Sequence, residues 1–280
     1  MKNNIGPFSL YNKTPNDINY GAIYTLEVEL PLLYYKKRII RVYVPEDYDE
    51  NNKYPLLVMS DGQNIVDRYT SAYGAWEIDK RQHESSKRFI VVGIDCPIGP
   101  SERAMEYSFP FVMINKWEEG RYANSLKLKF ESHLLYEYIA LTLLPLIKEN
   151  FSISDDRALI GCGGSSMGGV FSLSLMLSYP DLFGYALCFS PGYFLYNEKK
   201  VNKYLDERLK YLDLNHKIYF YTGNVGFEEK FLARTKTMYE YFKEHGFDDN
   251  HVALNIDYSG EHNEYCWSKH FNDAIDFWLS

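Results

Sequence analysis

A glycine-crowded turn between a short apolar strand and an apolar helix constrains this 280-residue chain more than any other feature. The stretch from Arg157 to Tyr179 reads RALIGCGGSSMGGVFSLSLMLSY, and within it Gly164, Ser166 and Gly168 fit the pattern G-x-S-x-G. A serine on a sharp strand-to-helix turn has a strained backbone, and side chains two positions away on either side would collide there. The pattern therefore makes Ser166 the candidate nucleophile.

Two other interpretations of this turn are a flexible loop and a phosphate-binding loop at a helix N-terminus. The phosphate interpretation fits poorly, because G-x-x-x-x-G-K-[ST] is absent and Ser166 stands where G-x-G-x-x-G needs glycine. The apolar stretches ALIG before the motif and VFSLSLML after it supply the strand and helix that a nucleophile turn requires. We therefore favour the nucleophile, and the flexible turn stays open.

Apolar runs and helical patterns alternate along the chain and predict its fold. Continuous apolar runs, such as Leu56 to Met59, indicate strands covered on both faces, hence a parallel sheet between two helical layers. Two leading strands followed by strand–helix alternation predict a doubly wound, mostly parallel eight-stranded sheet with helices on both faces. The eight strands are predicted at 21–30, 37–45, 56–59, 88–97, 158–161, 185–189, 217–222 and 251–257. Helices are predicted at 131–149, 168–177, 199–212, 228–245 and 268–278.

The domain prediction is a single α/β unit over residues 1–280, because no internal repeat or low-complexity linker divides the chain. Residues 99–129 are the exception, since they lack sustained periodicity and are rich in aromatic and charged side chains. Loops of this length are usually functional or disordered, and aromatic residues argue against disorder. We expect an insertion packed near the site, with Tyr107, Phe111 and Trp117 as candidate pocket residues. A surface loop with its own aromatic cluster is an equal alternative.

Composition and charge narrow the classes of partner. A net charge of −8 argues against nucleic acid and against an anionic membrane surface. No apolar run approaches the ~18 residues of a membrane span, and the first residues lack the apolar core of a secretory signal. The four cysteines are far apart and predict neither zinc nor a disulfide framework. We expect a cytoplasmic protein that needs no cofactor or metal, and a homo-oligomer stays open.

A serine nucleophile needs a base within hydrogen-bond reach, and histidine is the usual base near neutral pH. Of the seven histidines, His262 lies in the loop YSGEHNEYCW directly after a predicted strand. Loops beyond the carboxyl ends of strands are where α/β sheets place ligands and catalytic groups. His262 is therefore the candidate base, with a solvated loop histidine as the alternative.

Several blocks of the chain resemble α/β-hydrolases of the putative-esterase family, which includes esterase D and enterochelin-esterase-like enzymes. The blocks are RVYVPEDY, YPLLVMSDGQN, RAMEYS, SSMGG followed by YPDLFGYALCFSPG, and GEHNEYCW. The resemblance spans most of the chain from about Arg41 and implies an α/β-hydrolase fold. It also implies the chain order nucleophile, acid, histidine, which Ser166 and His262 obey.

The resemblance further implies an oxyanion hole, the pair of N–H donors that holds the negative oxygen of a tetrahedral intermediate. One donor is the backbone N–H of Met167, the residue after the candidate nucleophile. The other is the backbone N–H of Gln63, in the sequence DGQN after the third strand. A simple strand-terminating turn is the alternative interpretation of DGQN.

The triad acid is where this chain departs from the family pattern. The family usually carries Asp or Glu three residues after the glycine that ends the seventh strand, and here that position is Gly226. Glu228 and Glu229 follow within a slightly longer loop, and we choose Glu228. Two carboxylates facing a helix dipole, or a Ser–His dyad without an acid, are the alternatives.

The sequence thus predicts a serine carboxylic-ester hydrolase that acts through an acyl-enzyme on a small-molecule ester. Short acyl, sugar-linked and siderophore-type esters are the candidate substrates that the resemblance implies. An acyltransferase using the same acyl-enzyme and an inactive hydrolase-fold binding protein are the alternatives. Trp76 and Trp267 each follow a predicted site loop, and each is expected either in the cleft or in the core.

Overall fold

The computed structural model describes residues 2–11, 19–33, 36–66, 71, 74–112 and 131–280. In these ranges ten strands form one sheet. They are β1 (Asn4–Ile5), β2 (Phe8–Leu10), β3 (Ala22–Glu29), β4 (Lys37–Val44), β5 (Leu56–Ser60), β6 (Ile90–Ile94), β7 (Ile160–Ser165), β8 (Tyr185–Phe189), β9 (Lys217–Gly223) and β10 (Val252–Asp257).

The strand order across the sheet is β1-β2-β3-β4-β6-β5-β7-β8-β9-β10. The six strands from β6 to β10 pair in parallel, and the four before them pair antiparallel. This confirms the predicted doubly wound, mostly parallel sheet. The predicted number of eight strands is wrong for the described residues, because β1 and β2 extend the antiparallel edge. They have two and three residues, too few to produce a periodic pattern.

Helices cover both faces of the sheet. They are α1 (Ile78–Glu84), α2 (Pro100–Tyr107), α3 (Ser132–Tyr138), α4 (Leu144–Asn150), α5 (Met167–Ser178), α6 (Glu198–Leu209), α7 (Glu229–Glu244), α8 (Glu264–Lys269) and α9 (Phe271–Trp278). A π-helical segment at Ile139–Leu143 joins α3 to α4. The sequence did not predict α1 or α2, and the predicted helix 268–278 is divided between α8 and α9, with the break at His270. Among the described residues, no helix is long and apolar enough to cross a bilayer.

Two hydrophobic cores lie on opposite faces of the sheet, because successive side chains of a strand point to opposite sides. In β5, Leu56 and Val58 belong to the first core, and Leu57 and Met59 to the second. Helix α5 belongs to the first core and is buried from Met167 to Leu177, so the protein covers it on all sides. Helix α9 covers the second core.

The predicted insertion at 99–129 is described only as far as residue 112, so Trp117 lies outside the described residues. Its first part is α2. Tyr107 is buried, and its hydroxyl accepts a hydrogen bond from the backbone N–H of Asp61 at 3.1 Å, so it supports the loop after β5. Phe111 is 75% exposed. The prediction that this segment forms part of a substrate pocket stays a prediction.

Candidate active site

Ser166 lies between β7 and α5 with φ 59° and ψ −121°, a backbone conformation that L-residues rarely adopt. The hydroxyl of Ser60, the last residue of β5, packs closely against this turn. A Cβ on Gly164 would lie 2.1 Å from Ser60 Oγ and 2.8 Å from the Gly168 carbonyl oxygen. A Cβ on Gly168 would lie 2.2 Å from the same hydroxyl. The G-x-S-x-G pattern is therefore a packing requirement of this turn.

The segments that carry Ser166, Glu228 and His262 follow β7, β9 and β10, which are parallel neighbours together with β8. All three residues therefore lie at the carboxyl edge of the sheet. The loops after β9 and β10 are joined, since the backbone N–H groups of Asn224 and Val225 donate to the Gly260 carbonyl at 3.2 and 3.1 Å.

His262 and Glu228 are in direct contact across these joined loops. Nδ1 of His262 lies 3.1 Å from Oε1 of Glu228. Glu228 is fully buried, whereas Glu229 is exposed and begins α7. A short 3-10 turn at Gly226–Glu228 points the first carboxylate inwards and leaves the second on the surface. Of the two candidate acids, the structure brings Glu228 to the histidine.

Aromatic rings hold the imidazole of His262 on three sides. Phe231 stacks on it with ring centroids 4.3 Å apart, while Trp267 and Phe227 meet it edge-on at 4.8 and 5.3 Å. Its side chain is 16% exposed. Packing on this scale limits the ring to few orientations and leaves part of it exposed.

Trp76 and Trp267 belong to the core. Both are buried, their rings stack with centroids 6.1 Å apart, and both are members of the second core. Trp267 nevertheless reaches the site, because its indole N–H lies 3.3 Å from Oε1 of Glu228. Ser190, at the end of β8, also contacts that oxygen, at 2.5 Å. No motif in the sequence pointed to a role for Ser190.

The two candidate oxyanion donors lie after neighbouring strands, β5 and β7. Met167 is the first residue of α5, where backbone N–H groups have no partner within the helix and the helix dipole favours negative charge. Gln63 lies in a 3-10 turn at Gly62–Asn64. Its side chain, unexplained by the sequence, bonds to Cys96: Nε2 donates to Sγ at 3.2 Å, and Oε1 accepts from the Cys96 N–H at 3.1 Å. The glutamine thus fixes its own backbone relative to the loop after β6.

Arg103 joins the loop directly after β5, residues 61–64, to the turn that carries Ser166. Its guanidinium makes two hydrogen bonds of 2.7 Å to the carboxylate of Asp61, and one of 3.3 Å to the Ser165 carbonyl. Arg103 belongs to the RAMEYS block, but no sequence signal pointed to this contact. A fork-to-carboxylate pair of this kind fixes geometry as well as charge.

A hydrogen bond between two buried side chains joins the same loop after β5 to the start of α8, which follows His262. Nδ2 of Asn64 donates to Oε1 of Glu264 at 2.8 Å, and both side chains are buried. Burial raises the pKa of the Glu264 carboxyl to about 7, and the nearby charge of Asp61 adds to the rise. Among the described residues, no group of three or more His, Cys, Asp and Glu side chains could hold a metal ion.

A family model and a curated relative match the sequence of this chain. The family model described as Putative esterase matches residues 35–277. The uncharacterized protein YbbA of Bacillus subtilis (strain 168) is 25% identical over 256 residues, which are 86% of this chain and 92% of that protein.

Two solved structures have similar folds. The BES protein from Bacillus cereus superposes with a TM-score of 0.69 at 18% identity, over 96% of this chain and 97% of that one. The enterobactin esterase FES from Shigella flexneri, solved in the presence of enterobactin, superposes with a TM-score of 0.68 at 17% identity. That match covers 92% of this chain and 59% of FES. At these identities the likeness shows the fold alone.

Proposed function

This chain belongs to the Putative esterase family, as its sequence blocks predicted, and we propose that it is a serine carboxylic-ester hydrolase working through an acyl-enzyme. In this proposal Ser166 is the nucleophile, His262 the general base and Glu228 the triad acid. The backbone N–H groups of Met167 and Gln63 form the oxyanion hole. The substrate class is a small acyl ester, of the short acyl, sugar-linked or siderophore type.

Acylation begins with the proton of the Ser166 hydroxyl. Glu228 accepts the Nδ1–H of His262, which leaves Nε2 unprotonated and able to take that proton as Oγ attacks the ester carbonyl. The carbonyl oxygen becomes an oxyanion held by the two N–H donors. The imidazolium then protonates the leaving alcohol, the ester C–O bond breaks, and the acyl group stays on Ser166.

Deacylation repeats these steps with water. His262 takes a proton from water, the hydroxide oxygen attacks the acyl carbon, and the second oxyanion uses the same two donors. Ser166 Oγ leaves with the proton from His262, and the carboxylic acid is released. No step calls on a metal or a cofactor.

The observation that most supports this proposal is the contact between His262 and the fully buried Glu228, at the sheet edge that also carries Ser166. A carboxylate with no solvent access needs a specific partner, and the imidazole that follows the next strand is that partner. This contact also weighs against an inactive binding protein, because that alternative drew its support from the displaced acid.

Turnover of p-nitrophenyl acetate and butyrate tests the proposal. We expect Ser166→Ala and His262→Ala each to lower kcat by roughly 10³-fold or more, and Glu228→Gln by about 10²- to 10⁴-fold. Ser132→Ala, at the start of α3, is the matched control and keeps wild-type turnover, since it removes a buried hydroxyl that has no hydrogen-bond partner within the described ranges. A folded wild-type chain that turns over neither ester, or a fully active Ser166→Ala variant, contradicts the proposal.

Acyl transfer would use the same acyl-enzyme with an alcohol in place of water. Product analysis in the presence of added glycerol or sugar separates the two reactions. Free carboxylic acid as the main product supports hydrolysis, and an acylated alcohol supports transfer.

A further inference from the structure

Three hydrogen-bond donors converge on one oxygen of Glu228. Oε1 lies 2.5 Å from Ser190 Oγ, 3.1 Å from His262 Nδ1 and 3.3 Å from Trp267 Nε1. The other oxygen, Oε2, is buried and has no hydrogen-bond partner among the described residues. All the polar contacts of this carboxylate are therefore made through the atom that faces the histidine.

The direction of each bond follows from the chemistry of the donors. An indole N–H can only donate, and Trp267 Nε1 lies 3.0 Å from Ser190 Oγ, so the serine oxygen accepts there. The single hydroxyl hydrogen of Ser190 is then free to point at Glu228. Oε1 therefore faces three donors, which together hold this oxygen against the histidine.

The backbone holds Ser190 in place for this contact. Ser190 has φ 40°, an uncommon value for a residue other than glycine, and its N–H donates to the Tyr221 carbonyl at 2.7 Å. It directly follows β8, between the strands that lead to Ser166 and to Glu228. Strained residues of this kind persist where the surrounding structure imposes them, and they concentrate at functional sites.

We propose that Ser190 and Trp267 are positioning residues that hold Oε1 of Glu228 against Nδ1 of His262. They thereby favour the imidazole tautomer that carries its hydrogen on Nδ1 and leaves Nε2 unprotonated. This proposal rests on the proposed function, and neither residue touches the reacting atoms. Ser190 acts through Glu228, while Trp267 acts both through Glu228 and by packing edge-on against the His262 ring.

Loss of either donor has a defined kinetic consequence. Without the Ser190 hydroxyl, the Glu228 carboxylate is held less firmly against His262 and stabilises the imidazolium less in the transition state. We therefore expect Ser190→Ala and Trp267→Phe each to lower kcat by roughly tenfold or more while KM stays within about twofold.

The experiment is a double-mutant cycle with Glu228→Gln, which removes the carboxylate that Ser190 and Trp267 contact. Ser190→Ala should lower kcat in the wild-type background and change it little in the Glu228→Gln background. The far-downfield proton resonance of His262 Nδ1–H should be present in the wild-type chain and shifted or lost in Ser190→Ala. Ser132→Ala and Trp278→Phe are the matched controls, since each alters a buried side chain away from Glu228.

Several outcomes would overturn the proposal. They are unchanged kcat in Ser190→Ala and Trp267→Phe, equal losses in both backgrounds of the cycle, or control variants that lose as much activity. If Ser190→Ala does not fold, Trp267→Phe carries the same test. Failure of the proposed function gives a different result, in which the wild-type chain and Ser166→Ala have the same activity. In that case the positioning role of Ser190 and Trp267 also has no basis.

Discussion

Of the five non-glycine residues with positive φ in the described part of the chain, three lie at the carboxyl edge of the sheet. Asp61 (φ 54°), Ser166 (φ 59°) and Ser190 (φ 40°) all have left-handed φ values, and they follow β5, β7 and β8 directly. Each has a polar side chain whose position the strained backbone determines. Holding such conformations costs folding free energy, of order 1–3 kcal/mol each, and the dense packing around them supplies it.

A pair of substitutions at Ser166 isolates this strain. Ser166→Ala removes the hydroxyl and keeps the unfavourable φ, whereas Ser166→Gly also removes the Cβ that makes this φ unfavourable. We expect Ser166→Gly to be more stable than Ser166→Ala by about 1 kcal/mol in free energy of unfolding, although glycine usually destabilises. Urea denaturation of both variants measures the difference. A Ser166→Gly variant less stable than Ser166→Ala would show that the turn carries no such strain.

At the scale of elements, the acid and histidine loops depend on a close approach between two glycines. A Cβ on Gly223, at the end of β9, would lie 2.3 Å from the Gly260 carbonyl oxygen and 3.0 Å from Glu228 Cγ. That carbonyl oxygen accepts the two hydrogen bonds that join the loops.

Gly223→Ala should push the two loops apart. We expect kcat to fall at least tenfold, because Glu228 and His262 separate, and stability to fall by about 1–3 kcal/mol from overpacking. Gly163→Ala is the matched control, since its added methyl group would meet only ordinary contacts of 3.4 Å or more. Ester turnover and urea denaturation of both variants provide the comparison. Equal effects of the two substitutions would refute the role of the close approach.

The buried Glu264 carboxyl, which accepts a hydrogen bond from Asn64, predicts a pH dependence of stability. The Glu264 carboxyl has a pKa of about 7 in the fold and an ordinary value of 4.5, so between these values only the folded chain retains the proton. Stability therefore falls as pH rises through this window, by up to about 3 kcal/mol for this group.

Glu264→Gln removes the ionisable group and retains a side chain of the same shape. The difference in unfolding free energy, variant minus wild type, should grow between about pH 5 and about pH 8. Glu261→Gln, at an exposed position of the same loop, should give a constant difference. Urea denaturation across this range measures both, and a flat difference for Glu264→Gln would contradict the buried-acid assignment.

At the scale of the whole molecule, the sequence predicted what depends on local pattern. Buried parallel strands give continuous apolar runs, and β8 has the predicted bounds. Contacts across the sheet were harder to predict. The family spacing places the acid three residues after the glycine that ends β9, which is the position of Gly226. Only the structure shows the 3-10 turn at Gly226–Glu228 that directs Glu228 inwards. Ser190 and Arg103 had no signal beyond their family blocks, because their roles come from side chains brought together by the fold.

We propose that residues 1–280 form a single domain, and cooperative unfolding tests it. Trp76, Trp267 and Trp278 all lie in the second core, while most of the helices cover the first. For one domain, tryptophan fluorescence and far-ultraviolet circular dichroism should follow the same urea transition. Two separated midpoints would indicate two cooperative units.

The most direct measurement of the central claim is labelling by a fluorophosphonate probe, followed by mass spectrometry of the labelled peptide. An activated serine attacks phosphorus and retains the phosphonyl group, whereas an ordinary serine does not react. We predict one label per chain, on Ser166, no label on Ser166→Ala, and strongly slowed labelling of His262→Ala. A folded wild-type chain that stays unlabelled, or one labelled at another residue, would contradict the account.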